Sequence, residues 1–100
     1  MNSMPVEILP IAQEDVNQAL VYIAAENPAA SDDLLEAILV ALEQASHFPH
    51  SGSEIVIGSR RPRHYYRLYA HPYNIYYRVI EEKIVVMRVL HERMDTRKQL

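Results

Sequence analysis

Three runs of β-branched and aromatic residues, about His64 to Ala70, Tyr73 to Ile80 and Lys83 to Leu90, follow one another with only His71-Pro72 and Glu81-Glu82 between them. Links of two residues leave no length for a crossover, so consecutive strands must run antiparallel. Whatever else the chain does, its C-terminal half builds a sheet. In the second run Tyr73, Ile75, Tyr77 and Val79 fall on one face and Asn74, Tyr76, Arg78 and Ile80 on the other. In the third, Val85, Met87 and Val89 oppose Ile84, Val86, Arg88 and Leu90. Both of its faces are apolar over the first half, which marks an interior strand.

The first half carries a different period. Val6-Glu7-Ile8-Leu9 alternates and is closed by Pro10, a short first strand. From Ile11 to Glu26 the apolar positions Val16, Ala19, Leu20 and Ile23 recur at helical spacing, with Glu14 and Asp15 assigned to the first turn, where the helix dipole favours negative charge. Pro28 biases Asn27 away from helical dihedrals, and the pair Asn-Pro supplies an N-cap and first position for a new helix. That second helix carries Asp32 and Asp33 in or near its first turn. Its wide stripe of Leu34, Leu35, Ile38, Leu39, Ala41, Leu42 and Ala45 makes it the better buried of the two, and it ends before Pro49 in the breaker-rich stretch 47–52. Strand texture begins past Gly58. The order β-αα-βββ predicts an α+β fold in which an N-terminal strand and an antiparallel αα-hairpin pack on one face of an antiparallel sheet, leaving the other face partly open. One hundred residues, 49% of them hydrophobic, are enough for a single domain, 1–100, with its own core.

Several chemistries are excluded at this level. The chain has no cysteine, hence no disulfide framework, no thiolate and no cysteine-based zinc site, which fits a reducing cytosol. His47, His50, His64 and His71 lack metal-ligand spacing, and the only glycines, Gly52 and Gly58, form no phosphate-binding loop, so neither metal nor cofactor is expected. No apolar run approaches the ~20 residues that span a bilayer, so the expected location is cytoplasmic, without a membrane partner.

Charge is segregated. Residues 1–50 contain no Lys or Arg and eight acids, whereas residues 51–100 contain ten bases against five acids, so a net charge of −3 conceals halves of −8 and +5. A dipolar molecule of this kind can offer a cationic surface to an anionic partner, and the bases concentrate in Arg60-Arg61-Pro62-Arg63-His64-Tyr65-Tyr66-Arg67. Arginine recognises phosphate or carboxylate bidentately, and the neighbouring tyrosines suit stacking or a protein interface. The competing reading is an edge strand whose charges prevent sheet-to-sheet pairing, but four arginines in eight residues exceed that need. Six of the seven tyrosines lie between Tyr65 and Tyr77; at Tyr73 and Tyr77 they read as cross-strand pairs that build the sheet. A third group, Arg88-Val89-Leu90-His91-Glu92-Arg93-Met94-Asp95, ends a strand in polar residues. There His91 could serve as a general acid beside Arg93, or simply bond a neighbouring backbone group.

One combination of residues goes further. Ala12, Asp15, Val16, Tyr22, Ile23, Asn27-Pro28 and Ala30 are followed by Phe48-Pro49 and Gly52, then by Tyr73, Ile75 and Tyr77-Arg78-Val79, and finally by Arg88 to Asp95. In order and spacing, over nearly the whole chain, this resembles the RelE/ParE superfamily of toxins from type II toxin–antitoxin operons, with the ending Arg-Val-Leu-His-x-x-Met-Asp closest to the ParE branch. The resemblance implies the β-αα-βββ fold, a cognate antitoxin partner (ParD-like or similar), and one of two activities: ParE-like inhibition of DNA gyrase, or RelE-like cleavage of mRNA on the ribosome.

Residues separate the two. Asn74 stands where a RelE-like arginine is expected, and the tail Thr96-Arg97-Lys98-Gln99-Leu100 has no tyrosine, so no catalytic residue is expected; an RNase would have to use His91 and Arg93. The expectation is therefore a ParE-like toxin that binds gyrase through Arg60, Arg61, Arg63, Tyr65, Tyr66, Arg67, Arg93, Arg97 and Lys98, these residues facing antitoxin or target. A ribosome-dependent endonuclease, and an inert homologue that only binds antitoxin, are the alternatives.

Overall fold

The structure, a computed structural model, describes residues 3–100. Its elements run β1 (Val6–Ile8), α1 (Pro10–Ala24), α2 (Pro28–His47), β2 (Ser53–Ile57), β3 (Arg63–Ala70), β4 (Tyr73–Ile80), β5 (Lys83–His91) and a terminal turn of helix, α3 (Thr96–Gln99). The expected α+β arrangement is present, with two additions. Ser53–Ile57, for which the sequence pattern predicts no element, is a strand antiparallel to β3, and β1 joins the sheet parallel to β5. The five strands lie in the order β1-β5-β4-β3-β2, so β5 is interior, as its two apolar faces required.

Both helices begin one turn earlier than their acids suggested. Pro10 and Pro28 occupy the first turn of α1 and α2, and no acidic residue sits there. Glu14, Asp15, Asp32 and Asp33 therefore do not act on the helix dipole. The Asn27 cap is as expected, its Oδ1 accepting the Ala30 N–H at 3.1 Å. Just past it, Ser31 Oγ donates to Leu20 O at 2.9 Å and holds the hairpin closed, while Ser46 Oγ donates to Met4 O at 2.6 Å and ties the segment before β1 to the end of α2.

The core lies between the hairpin and one face of the sheet. Ala12, Val16 and Ala19 of α1 and Leu34, Ile38, Ala41, Leu42 and Ala45 of α2 meet Leu68, Ala70, Ile75, Tyr77, Ile84, Val86 and Val89. The last of these corrects the face assigned to Val89. Tyr76 pairs with Arg88 but Tyr77 with Val86, so Met87 is an extra residue and the parity of β5 changes there. Val89 is thereby placed on the helix side with Ile84 and Val86, and Arg88 and Leu90 on the other face with Val85. Among the described residues no helix is long and apolar enough to cross a membrane.

Candidate functional site

On β3 the residues alternate strictly. His64, Tyr66, Leu68 and Ala70 point to the helices, whereas Arg63, Tyr65, Arg67 and Tyr69 point to the opposite face, which they share with Asn74, Tyr76 and Arg78 of β4. Tyr65 is only 2% exposed because the guanidinium groups of Arg63 and Arg78 lie over its ring, 5.9 and 5.6 Å from the centroid. Arg67 covers the Tyr69 ring at 5.1 Å, and its Nε is sealed from solvent without a hydrogen-bond partner. Among the described residues the ion pairs are His64–Glu54, His71–Glu92, Lys83–Glu7 and Arg88–Asp15. Arg63, Arg67 and Arg78 thus share one surface with no side-chain carboxylate to neutralise them.

The chain after β5 crosses this face. Asp95 caps α3 by accepting the Arg97 N–H at 3.1 Å. Thr96 Oγ1 and the Tyr76 hydroxyl are 2.9 Å apart, the Gln99 backbone and side-chain oxygens accept from Arg88 Nη1 at 3.3 and 3.4 Å, and Leu100 O accepts from Arg63 Nη2 at 3.1 Å. Arg97 is carried to a shallow hollow lined by Val56, Ile57, Gly58 and Ser59, beside one formed by Gly58, Ser59, Arg60, Arg61 and Arg63. Arg97, distant in sequence, therefore joins Arg60, Arg61 and Arg63 at one end of the sheet, with Lys98 the next residue along the chain.

Three residues of the anticipated set are placed differently. Tyr65 is buried beneath its arginines. Tyr66 lies on the helix side, stacked on Tyr77 at 5.4 Å with its hydroxyl 2.7 Å from His50 Nδ1, because one step along a strand reverses the face. Arg93 stands past the far end of β5, away from the other bases. Arg78 was absent from that set, although its alternation with Tyr76 on β4 puts it on the same face.

The group considered for RNA cleavage is engaged in local structure. His91 Nδ1 accepts the Arg93 N–H at 3.1 Å, and the His91 ring packs edge-on against Tyr73 at 5.3 Å. Asn74 is buried, with Nδ2 3.4 Å from the Tyr76 hydroxyl. Nothing in this arrangement pairs a free acid with a free base.

A second surface lies on the helical side. The stripe of α2 is wider than the sheet can cover, leaving Leu39 54% exposed, and Leu35 and Ile11 also open to solvent. Ile8, Val16, Leu35, Ile38, Leu39 and Leu42 line a narrow apolar groove of about 100 Å³. Further along α1, a cleft of about 320 Å³ runs between the helix and the end of β5, with Tyr22, Tyr73, His91 and Met94 around it. Burial, and then the neighbouring Tyr22, raise the Tyr73 pKa above its ordinary value. The cleft floor is fastened by Asp15, whose Oδ2 accepts from Arg88 Nε at 2.7 Å and from the Val89 N–H at 3.0 Å, and whose Oδ1 accepts from Arg88 Nη2 at 2.9 Å. That contact raises the pKa of Arg88 despite its partial burial. Nearly all the exposed large apolar residues, nine of twelve, precede residue 50, so the apolar and cationic surfaces are distinct.

The family described as the ParE toxin of the type II toxin-antitoxin system, parDE, matches residues 6–96. A solved structure titled the chromosomal ParDE TA system from P. aeruginosa has a similar fold, with a TM-score of 0.69 at 15% identity over 89% of this chain and 96% of that one. No curated protein sequence matches the chain.

Proposed function

Because the chain belongs to the ParE toxin family of type II toxin–antitoxin systems, we propose that it is the toxin of such a pair, that it inhibits DNA gyrase by binding, and that a cognate ParD-like antitoxin neutralises it. The observation that carries the binding mode is the division of the surface. The apolar groove along α1 and α2 suits an amphipathic helix of the antitoxin, whose apolar side chains would cover Leu35 and Leu39. The cationic sheet face, with Arg60, Arg61, Arg63, Arg67, Arg78, Arg97 and Lys98, is left for the target. RelE-like cleavage is disfavoured by the structural duties of His91 and Asn74.

Purified protein added to a gyrase supercoiling reaction is expected to block supercoiling, with activity restored by antitoxin. Unchanged supercoiling at saturating protein would count against gyrase as the target. If primer extension on translated mRNA showed A-site cuts that vanish in His91→Ala, the endonuclease reading would replace this one. Unimpaired growth on induction of the protein alone would instead favour the inert homologue. For the antitoxin, Leu39→Glu is expected to abolish co-purification with the product of the adjacent gene while leaving the fold intact, since Leu39 is already half in water.

A further inference from the structure

We infer that the cationic sheet face binds the sugar–phosphate backbone of duplex DNA directly. The inference rests on reading this face as the target-facing surface, but does not require gyrase to be that target. Seven bases contribute: Arg63, Arg67 and Arg78 on the strands, Arg60 and Arg61 in the loop before β3, and Arg97 and Lys98 from the segment that crosses the sheet. None of their side-chain cations pairs with a side-chain carboxylate among the described residues, although Arg63 Nη2 also donates to Leu100 O at 3.1 Å. Of the acids nearest this face, Glu81 and Glu82 lie in the β4–β5 turn, Glu54 is taken by His64 at 3.1 Å on the helix side of β2, and Asp95 accepts the Arg97 N–H at 3.1 Å as the cap of α3. The eight acids of the first 50 residues belong to β1 and the helical hairpin. Net charge therefore understates the local field that a phosphate chain would meet.

The chemistry of the face chooses among anionic partners. A protein chain needs apolar pockets for anchoring side chains, and those lie on the helical side, not here. Single-stranded nucleic acid is held by stacking its bases on open aromatic rings. On this face Tyr65 lies closed under Arg63 and Arg78 and Tyr76 is buried with its hydroxyl against Thr96, so the one open ring is Tyr69, 61% exposed beside Arg67, a single platform where successive bases would need several. What the surface presents is guanidinium groups fixed against tyrosine, suited to bidentate contact with phosphate and lacking any group arranged to read bases. Duplex backbone, contacted without regard to sequence, fits this chemistry.

The test is fluorescence anisotropy of the full chain, free of antitoxin, with two 20-base-pair duplexes of unrelated sequence. Both are expected to bind equally, and raising salt from 50 to 200 mM should weaken binding by about a hundredfold, the loss for roughly four phosphate contacts. Arg60→Gln with Arg61→Gln, in an exposed loop where folding is not at stake, should lower the slope of log affinity against log salt by up to about two, and Arg78→Gln by about one. Lys83→Gln, which removes a base paired with Glu7 at the opposite edge, should leave the slope unchanged. The inference is overturned by a salt-independent affinity, by slopes that ignore the arginine variants, by a 20-nucleotide RNA that binds more tightly than duplex, or by polyglutamate that displaces DNA at equal charge. If supercoiling is inhibited but duplex does not bind, this inference alone fails; if duplex binds and gyrase is untouched, the choice of gyrase fails instead.

Discussion

Asp15 shows how much one side chain can organise. It accepts both donors of the Arg88 fork and the Val89 N–H, standing at the edge of β5 just where β1 has ended, so it replaces the strand carbonyl that the short β1 cannot supply. The pair is largely buried, with side chains 12% and 16% exposed, so removing one partner strands the other charge. Asp15→Ala is expected to cost about 2 to 3 kcal/mol in urea denaturation, with Asp15→Asn costing less because an amide oxygen can still serve Val89. None of this is legible in the sequence, where Asp15 reads as a helix-dipole residue and its partner lies 73 positions away. Asn27 was legible because a cap and its acceptor are three residues apart. Tyr77 gives a second test. Burial raises its pKa, and its hydroxyl donates to Pro49 O at 2.7 Å. The folded chain thus holds this proton more tightly than the unfolded chain. Its contribution is intact below pH ~10 and is lost as pH rises through the folded value. Tyr77→Phe should cost about 1 kcal/mol at neutral pH and make the alkaline decline in stability, followed by denaturation at pH 9 to 11, shallower.

At the level of elements, alternation and turn length carried most of the fold. The three strands from β3 to β5 lie within a residue of where their runs predicted, since two-residue links fix both direction and register. β2 was missed although Ile55-Val56-Ile57 is a β-branched run, because the breakers at 49–52 and Gly58 crowd it into five residues. The β5 bulge was missed for a deeper reason: an extra residue leaves no mark on one strand, only on the pairing of two. The β4–β5 turn exposes a mismatch between sequence and geometry. Glu81 and Glu82 both adopt positive φ, 51° and 61°, a conformation that costs side chains other than Asn, Asp and Gly about 1 kcal/mol or more each. Glu81→Asn combined with Glu82→Gly should therefore stabilise the protein by about 1 to 2 kcal/mol, read as a rise in thermal midpoint without change in fold. A fall in the midpoint would show that the two glutamates make compensating contacts.

Across the whole molecule, charge segregation in sequence becomes segregation in space because the chain folds its acidic half into the helical layer and its basic half into the sheet. A sequence can show that the bases are clustered, but only the alternation of β3 and the path of the C-terminal segment decide that Arg60, Arg61, Arg63 and Arg97 meet while Arg93 does not. The apolar groove was visible only as an overly wide α2 stripe, since burial depends on how much of it the sheet can cover. If the two surfaces serve separate partners, they should respond to different variables. Antitoxin held in the groove through Leu35 and Leu39 buries apolar area, which salt does not screen, whereas contacts to the cationic face weaken steeply as salt rises. Calorimetric titration of the antitoxin into the toxin should therefore give an affinity that changes less than about threefold between 50 and 200 mM salt, with a negative heat-capacity change. Arg60→Gln with Arg61→Gln should leave that affinity within about twofold, the range expected of charges remote from an apolar contact, while Leu39→Glu lowers it by a hundredfold or more, roughly the effect of a buried anchor lost and a charge desolvated. An antitoxin affinity that falls with salt as steeply as the arginine variants predict would mean that the antitoxin lies on the sheet face, and that the two surfaces are one site.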